Sequence, residues 1–177
     1  PEVQPIVDQI RAAAESVPPV RVFIGGNCLP EGVLASGDLY LSSRTLDGVI
    51  SFFPDDMYIV AGAGMTLRDL RSFLESKDLY LPLVSPWDET TLGGLVAANL
   101  NAPLRTRHGG IRDFLLCLTV ILPDGRVIDA GKPLVKNVAG YDLPKLFVGS
   151  FGCLGMIASV TFKVLAKPQA RFTCAIP

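Results

Sequence analysis

Residues 90–99 read Thr-Thr-Leu-Gly-Gly-Leu-Val-Ala-Ala-Asn, and no other stretch limits the fold as strongly. Gly93 and Gly94 carry no Cβ, so the backbone there can turn sharply and approach a bulky neighbour closely. The small residues that follow keep the surface low, and the hydroxyls of Thr90 and Thr91 with the Asn99 amide supply hydrogen-bonding groups beside it. Two readings stand: a tight turn that opens a well-packed helix, or a surface laid against a ligand. A second glycine turn far upstream, Ile24-Gly25-Gly26-Asn27-Cys28, favours the ligand. Two such turns can close on opposite sides of one extended molecule.

The chain has 177 residues, enough for one substantial domain that divides into two lobes. Its 49% hydrophobic and 19% charged content describes a globular core. Sixteen basic residues face 17 acidic ones, with no basic block, so nucleic acid is not an expected partner. Cys28, Cys117, Cys153 and Cys174 form no Cys-x-x-Cys pair, which argues against a zinc or iron–sulfur site. The single histidine, His108, excludes a multi-histidine metal centre. No secretory leader and no apolar run of membrane-spanning length is visible. The expectation is a cytoplasmic protein with reduced thiols, peripheral to an inner membrane only through partners.

The pattern predicts a helix over 5–16, stopped by Pro18-Pro19, and a strand over 20–24 that runs into the first glycine turn. A strand over 39–42 follows, then a hairpin of 49–53 with 58–61. Thr66 caps a helix over 67–75, with Asp69 in the capping-box position and Leu67, Leu70 and Leu74 as its buried stripe. The proline-punctuated connector 81–87 is where the boundary between lobes is expected, giving a smaller lobe of about 1–82 and a larger one of about 83–177. The second lobe carries a hairpin of 115–122 with 127–130, a short helix over 141–147 and a closing strand over 156–164. In that strand Met156, Ala158, Val160, Phe162 and Val164 alternate with mostly polar neighbours. The fold class expected is α+β.

Several common chemistries are missing. No Gly-x-Gly-x-x-Gly joins a strand to a helix, and no Gly-Lys-Ser/Thr loop is present. No Gly-x-Ser-x-Gly elbow occurs, and one histidine leaves little for a hydrolase triad. What remains are turns rich in backbone N–H groups, which form concavities able to hold a phosphate or pyrophosphate. The turn 25–28 fits, since Asn tolerates left-handed backbone angles.

Five segments together carry a resemblance: Ile24–Cys28; Thr91–Ala98; Gly110-Ile111-Arg112-Asp113-Phe114; Lys136-Asn137-Val138-Ala139-Gly140-Tyr141-Asp142-Leu143; and Gly149-Ser150-Phe151-Gly152-Cys153-Leu154-Gly155. In order and spacing the chain resembles the PCMH-type FAD-binding domain of vanillyl-alcohol oxidase flavoproteins. Within them it is similar to the FAD-binding E subunits of bacterial glycolate oxidases. The resemblance implies two α/β lobes packed around one FAD. It assigns the pyrophosphate to Gly25, Gly26, Asn27 and Cys28. Thr90, Thr91, Leu92, Gly93, Gly94, Ala98, Asn99 and Asn101, with the turn His108-Gly109, line the ribityl and isoalloxazine portion. The backbone at Ile157 meets the cofactor from the last strand. The family more often has Gly where Asn27 stands and Ser or Thr where Cys28 stands. Covalent members carry a histidine at the first turn; none is present there, so noncovalent FAD is expected.

By the same resemblance the chain is an FAD-dependent oxidoreductase subunit acting on a small 2-hydroxy acid such as glycolate. Its expected partners are a second flavoprotein subunit and an iron–sulfur subunit. A substrate-side or cap region usually follows such a domain, whereas this chain stops nine residues beyond Pro168. The expectation is either a short or truncated form, or a site that other subunits complete. Two alternatives stay open: a non-catalytic FAD-binding electron-transfer or assembly subunit, and a scaffold that has lost its flavin. No catalytic residue is assigned. Arg105, Arg107 and Arg112 either attract an anion or form a solvated loop, and Asp113 is read as fixing a turn.

Overall fold

A computed structural model describes residues 2–18, 20–26, 34–87, 89–132, 142–170 and 172. The chain opens with α1 (Gln4–Glu15), β1 (Val22–Gly25) and β2 (Leu39–Ser42). Next come β3 (Val49–Phe53), β4 (Tyr58–Gly62), α2 (Leu67–Glu75) and β5 (Leu79–Tyr80). After α3 (Leu92–Ala97), two single turns, α4 (Arg105–His108) and α5 (Ile111–Phe114), lead into β6 (Leu115–Ile121) and β7 (Val127–Gly131). The turn α6 (Pro144–Phe147) precedes β8 (Met156–Lys163) and β9 (Leu165–Ala166). The class is α+β, as expected.

One antiparallel sheet organises these elements, in the order β3-β4-β8-β6-β7. The helices α2 and α3 seal it with Leu67, Leu70, Leu74, Leu92, Leu95 and Val96, which share one core with Ile59, Leu118, Val160 and Phe162. A second cluster joins Ile6, Val7 and Ile10 of α1 to Leu41 of β2, Leu46, and Ile121, Met156 and Ala158 at the sheet's end. The parallel pair β1–β2 rests there.

Sheet pairing and core packing both cross the chain position near residue 82 where the lobe boundary is expected. Strand β4 lies before it and pairs with β8 from Tyr58↔Lys163 to Gly62↔Ser159. The connector 81–87 reads as a linker because of its prolines, yet Leu81 and Leu83 are buried in the main core.

Strand β8 also departs from simple alternation. The two core clusters pack against its opposite faces, so Ile157 is buried as well as Met156 and Ala158, and Thr161 is also buried. A bulge opposite Thr119/Val120 lets Thr119 pair with Ser159 and Val120 with Ile157, which leaves Ala158 as the extra residue. Ile157 therefore joins Val160 and Phe162 in the main core, while Met156 and Ala158 pack towards α1.

Candidate functional site

The helix α3 is the centre of the candidate site, and two threonines set its position. Thr66 and Thr91 form an antiparallel bridge, with Leu67 N–H donating to the Thr90 carbonyl (2.8 Å) and Leu92 N–H to that of Met65 (2.9 Å). Each threonine caps its own helix: Thr66 Oγ1 accepts from Asp69 N–H (3.1 Å), and Thr91 Oγ1 accepts from Gly94 N–H (3.2 Å). Thr66 Oγ1 also donates to Asp69 Oδ2 (2.6 Å), and this bond holds the Asp69 carboxyl below its ordinary range.

The glycines of α3 do different work. Gly93 is buried, and a Cβ there would lie 3.0 Å from that of Ala63. Its N–H donates to the Ala63 carbonyl (2.8 Å), while Ala63 N–H donates to the Ala158 carbonyl (3.0 Å), so Ala63 ties α3 to β8. Gly94 is exposed, and a Cβ there would meet only Thr91 Oγ1, at 3.0 Å. Leu95 N–H donates to the Thr91 carbonyl (2.8 Å). The amides of Leu92, Gly93, Gly94 and Leu95 are thus all spent within the chain. At its start α3 offers a low surface rather than donors for an anion.

Three other segments converge on this helix. The first glycine turn meets its beginning, since a Cβ on Gly26 would lie 2.4 Å from Thr91 Oγ1 and 2.6 Å from Thr91 Cγ2. Gly25, at the end of β1, faces the Tyr40 ring: a Cβ would lie 2.8 Å from its hydroxyl. Residues 149–152 meet the end of α3, with Gly149 N–H donating to the Val96 carbonyl (3.1 Å) and Phe151 N–H to that of Ala97 (2.9 Å). A Cβ on Gly152 would lie 3.9 Å from Ile24 Cβ, so this loop also touches β1. Beyond α3, Asn99 is exposed in a left-handed conformation (φ 51°), and Asn101 Nδ2 donates to both Asn99 Oδ1 and the Asn99 carbonyl, each at 2.8 Å. Asn101 Oδ1 accepts from Ile111 N–H (3.2 Å), which draws the Gly109-Gly110 turn to the same place.

Of the residues expected here, the structure brings together Gly25, Gly26, Thr91, Gly93, Gly94, Ala98, Asn99, Asn101 and Gly109. Leu92 is fully buried in the core beneath α3, and the side chain of Ile157 is likewise a core group. The Thr90 hydroxyl is not directed to a ligand: it donates to the Trp87 carbonyl (2.8 Å) and contacts Ser85 Oγ (2.5 Å), securing the turn at 85–87. His108 lies edge-on to Tyr80, with 6.1 Å between ring centroids. Asp113 does fix a turn, accepting from Gly110 N–H at 2.7 Å. Asn27, Cys28 and the run 136–141 lie outside the described residues.

Ser150 belongs to the last of the five resembling segments, and the resemblance assigns it no role. Its Oγ is buried with no hydrogen-bond partner among the described residues. A buried hydroxyl with unmet capacity is uncommon, and an ordered water or a bound group can meet it. The low surface at Gly94 and Ala98, the seam closed by a Cβ-free Gly26 and this orphan hydroxyl together fit a long cofactor with polar atoms. A cavity of about 240 Å³ lies elsewhere, along α2 between Arg68, Arg71 and Trp87, and holds none of the α3 residues.

Residues 2–131 match the model of a family described as FAD binding domain. The chain is 39% identical over 140 residues to glycolate oxidase subunit GlcE of Escherichia coli, covering 75% of this chain and 40% of the relative. It is 33% identical over 150 residues to glycolate oxidase subunit GlcD of Bacillus subtilis, covering 84% and 31%. To a mitochondrial D-lactate dehydrogenase (cytochrome) of Arabidopsis thaliana it is 29% identical over 161 residues, covering 90% and 28%. The chain thus spans two fifths or less of the length of these relatives. Among the described residues, no helix is long and apolar enough to cross a membrane.

Proposed function

This chain belongs to the FAD-binding domain family, with FAD as its cofactor, and from that premise we propose that it is the flavin-holding part of a 2-hydroxy-acid oxidising complex. The observation that carries the reading is the direct apposition of Gly26 to Thr91, which closes two glycine turns on one seam. Gly25, Gly26, Asn27 and Cys28 hold the pyrophosphate. Gly94, Ala98, Asn99 and Asn101, with the Gly109 turn, bound the flavin side, and the Ser150 hydroxyl finds its partner on the cofactor. Bound FAD supplies the two-electron chemistry; the chain supplies binding, orientation and exclusion of water. Attachment is noncovalent. The substrate class, glycolate or lactate, follows the names of the relatives. The partners are a second flavoprotein subunit and an iron–sulfur subunit, in a cytoplasmic assembly that touches a membrane only through them.

One observation favours a subunit without a substrate site of its own. Oxidation of a hydroxy acid needs a base and a carboxylate clamp. Around α3 the carboxylate of Asp113 is engaged with Gly110 N–H, and the hydroxyls of Thr90 and Thr91 are spent on backbone groups. On this reading another subunit completes the chemistry, and glycolate or lactate bleaches the flavin only in the assembly.

Two measurements test the proposal. The absorption spectrum of the purified protein should show flavin, and acid precipitation should release all of it to the supernatant; flavin retained in the pellet contradicts noncovalent attachment. Gly94→Val should abolish FAD binding in a folded protein, because the new side chain stands on the exposed surface of α3. Unchanged affinity would place the cofactor elsewhere.

A further inference from the structure

A chain of hydrogen bonds fixes which way round one amide side chain stands at the end of α3. Ile111 N–H can only donate, so the Asn101 atom that meets it at 3.2 Å is the amide oxygen, Oδ1. The other end of that amide is then Nδ2, which donates to the Asn99 carbonyl at 2.8 Å. Nδ2 also meets the Asn99 side chain at 2.8 Å, and a donor there requires the Asn99 oxygen, Oδ1. Asn99 Nδ2 is therefore the end turned away from Asn101, and among the described residues it has no partner. Asn101, in contrast, has both ends of its amide engaged within the chain.

The Asn99 side chain is not needed to end the helix. Its backbone N–H donates to the Val96 carbonyl (3.0 Å), and Gly149 N–H and Phe151 N–H meet the carbonyls of Val96 and Ala97. The left-handed backbone at Asn99 (φ 51°) would suit glycine at least as well. What asparagine adds is an exposed donor directly after Ala98, at the rim of the low wall that Gly94 and Ala98 form. Gly149 keeps the space beside it open: a Cβ there would lie 3.5 Å from Asn99 Cβ. A flat wall suits the face of a planar ring. Hydrogen bonds to the carbonyl oxygens and bare nitrogens of such a ring lie near its plane, so a donor for them belongs at the rim.

Resting on the flavin-holding role proposed above, we propose that Asn99 Nδ2 donates to an acceptor atom on the edge of the isoalloxazine ring, and that Asn101 is a positioning residue that acts through Asn99 to keep this donor outward. Uptake of two electrons and one proton leaves the ring with a negative charge. A hydrogen bond to a charged acceptor is roughly twice as strong as one between neutral groups. The Asn99 amide therefore holds the reduced ring more tightly than the oxidised one and raises the midpoint potential. A tenfold preference of this kind corresponds to about 30 mV for a two-electron couple. Asn99 thus sets how readily the site accepts electrons, and Asn101 never touches the cofactor.

Spectroelectrochemical titration of the FAD-loaded protein tests this. Asn99→Gly, which keeps the left-handed backbone, should lower the potential by about 30 mV, a tenfold loss of preference for the reduced ring. Asn99→Asp keeps the acceptor for Asn101 but turns a carboxylate oxygen outward, and should lower the potential further. Asn101→Ala should lower it by less and add no shift when combined with Asn99→Gly, whereas a merely structural Asn101 would move the melting temperature and leave the potential alone. An unchanged potential in Asn99→Gly would overturn the proposal even with weaker FAD binding, since the donor would then lie against the ribityl chain or the phosphates. No shift from Asn101→Ala, or an equal one with and without Asn99→Gly, would overturn the positioning role. Should Asn99→Gly take up no FAD, nuclear magnetic resonance of the wild type decides. The Asn99 side-chain NH2 pair, identified by its absence in Asn99→Asp, should shift when FAD is added, and an unmoved pair would overturn the proposal. A wild-type chain that takes up no FAD would refute the flavin reading itself, and this assignment with it.

Discussion

Replacing Gly26 by alanine probes the seam between the two glycine turns. The backbone of Gly26 lies outside the left-handed region, so alanine brings no conformational penalty and the steric effect stands alone. The added methyl would sit 2.4 Å from Thr91 Oγ1, 2.6 Å from Cγ2 and 3.1 Å from Cβ. Since non-bonded carbons settle at roughly 3.5–4.0 Å, the turns must part by about 1 Å. Thr91 cannot swing away freely, because its side chain is buried and its Oγ1 holds Gly94 N–H. Overpacking of this kind costs about 1–3 kcal/mol, and displacing the cap alone costs about 1 kcal/mol. Gly26→Ala should therefore destabilise the protein by about 2 kcal/mol.

Thr91→Ala supplies the control. It gives up the cap, at about 1 kcal/mol, and removes both atoms that the new methyl strikes hardest. The double variant should then be more stable than the sum of the single losses by about 1 kcal/mol. Urea unfolding of the FAD-free proteins measures the cycle, and FAD titrations on the same four proteins should show affinity falling in Gly26→Ala and recovering in part in the double variant. Additivity to within about 0.3 kcal/mol would refute the contact. A coupled cycle with FAD affinity unchanged throughout would keep the contact and sink its role in the site.

Gly64→Ala is a different case: its Cβ would clash with the Ser43 carbonyl oxygen, a backbone atom that cannot rotate aside. A loss of about 3 kcal/mol or more is expected in thermal unfolding, and an unchanged midpoint would contradict the packing of the turn after β4 on residues 43–44. Thr66→Ala should cost about 1 kcal/mol through its lost cap. Because the Thr66 hydroxyl depresses the Asp69 pKa, the stability contributed by Asp69 is present above the unfolded carboxylate value and is lost as pH falls through the lower folded value. The stability gap between wild type and Asp69→Asn should thus be full at neutral pH and close in strong acid; a gap that persists there argues against the bond. Burial raises the Cys117 thiol, whereas Cys153 is exposed, so iodoacetamide should modify Cys153 well before Cys117 in peptide mapping. Equal rates would mean that β6 is more open than described.

Local signals were legible where they are self-contained. The capped helix 67–75 and the strand 39–42 fall where the pattern places them, because a cap and an apolar stripe act over one or two turns. The pairs and single turns at 79–80, 105–108, 111–114 and 165–166 are too short to carry a period, and tertiary contacts alone hold them. The burial of the connector 81–87 was illegible for a related reason: proline content describes its backbone and says nothing of the hole into which Leu81 and Leu83 drop. At the site, glycines mark where backbone comes close, but not what it approaches. That Gly26 meets Thr91 is a contact between residues 65 positions apart, and only the fold reveals it.

The same limit explains why the two glycines of a single motif, Gly93-Gly94, part company in the fold. Gly93 is the structural glycine: its missing Cβ admits Ala63, and its N–H is spent on that residue. Gly94 is the exposed one, with its own N–H returned to the Thr91 cap. With four successive amides consumed, the start of α3 has no spare donor for a phosphate, so under the proposed function the burden of charge falls on the upstream turn while α3 contributes a flat, low wall. The division can be checked by exchanging the positions. Gly93→Ala should lower stability and leave the intrinsic FAD affinity of the folded fraction unchanged, and Ala63→Gly should restore that stability by vacating the 3.0 Å contact. Alanine at Gly94 should do the reverse, sparing the fold and weakening FAD. If both substitutions instead weakened FAD in proportion to their loss of stability, the two glycines would act as one hinge, and the separation of packing from binding along α3 would have to be abandoned.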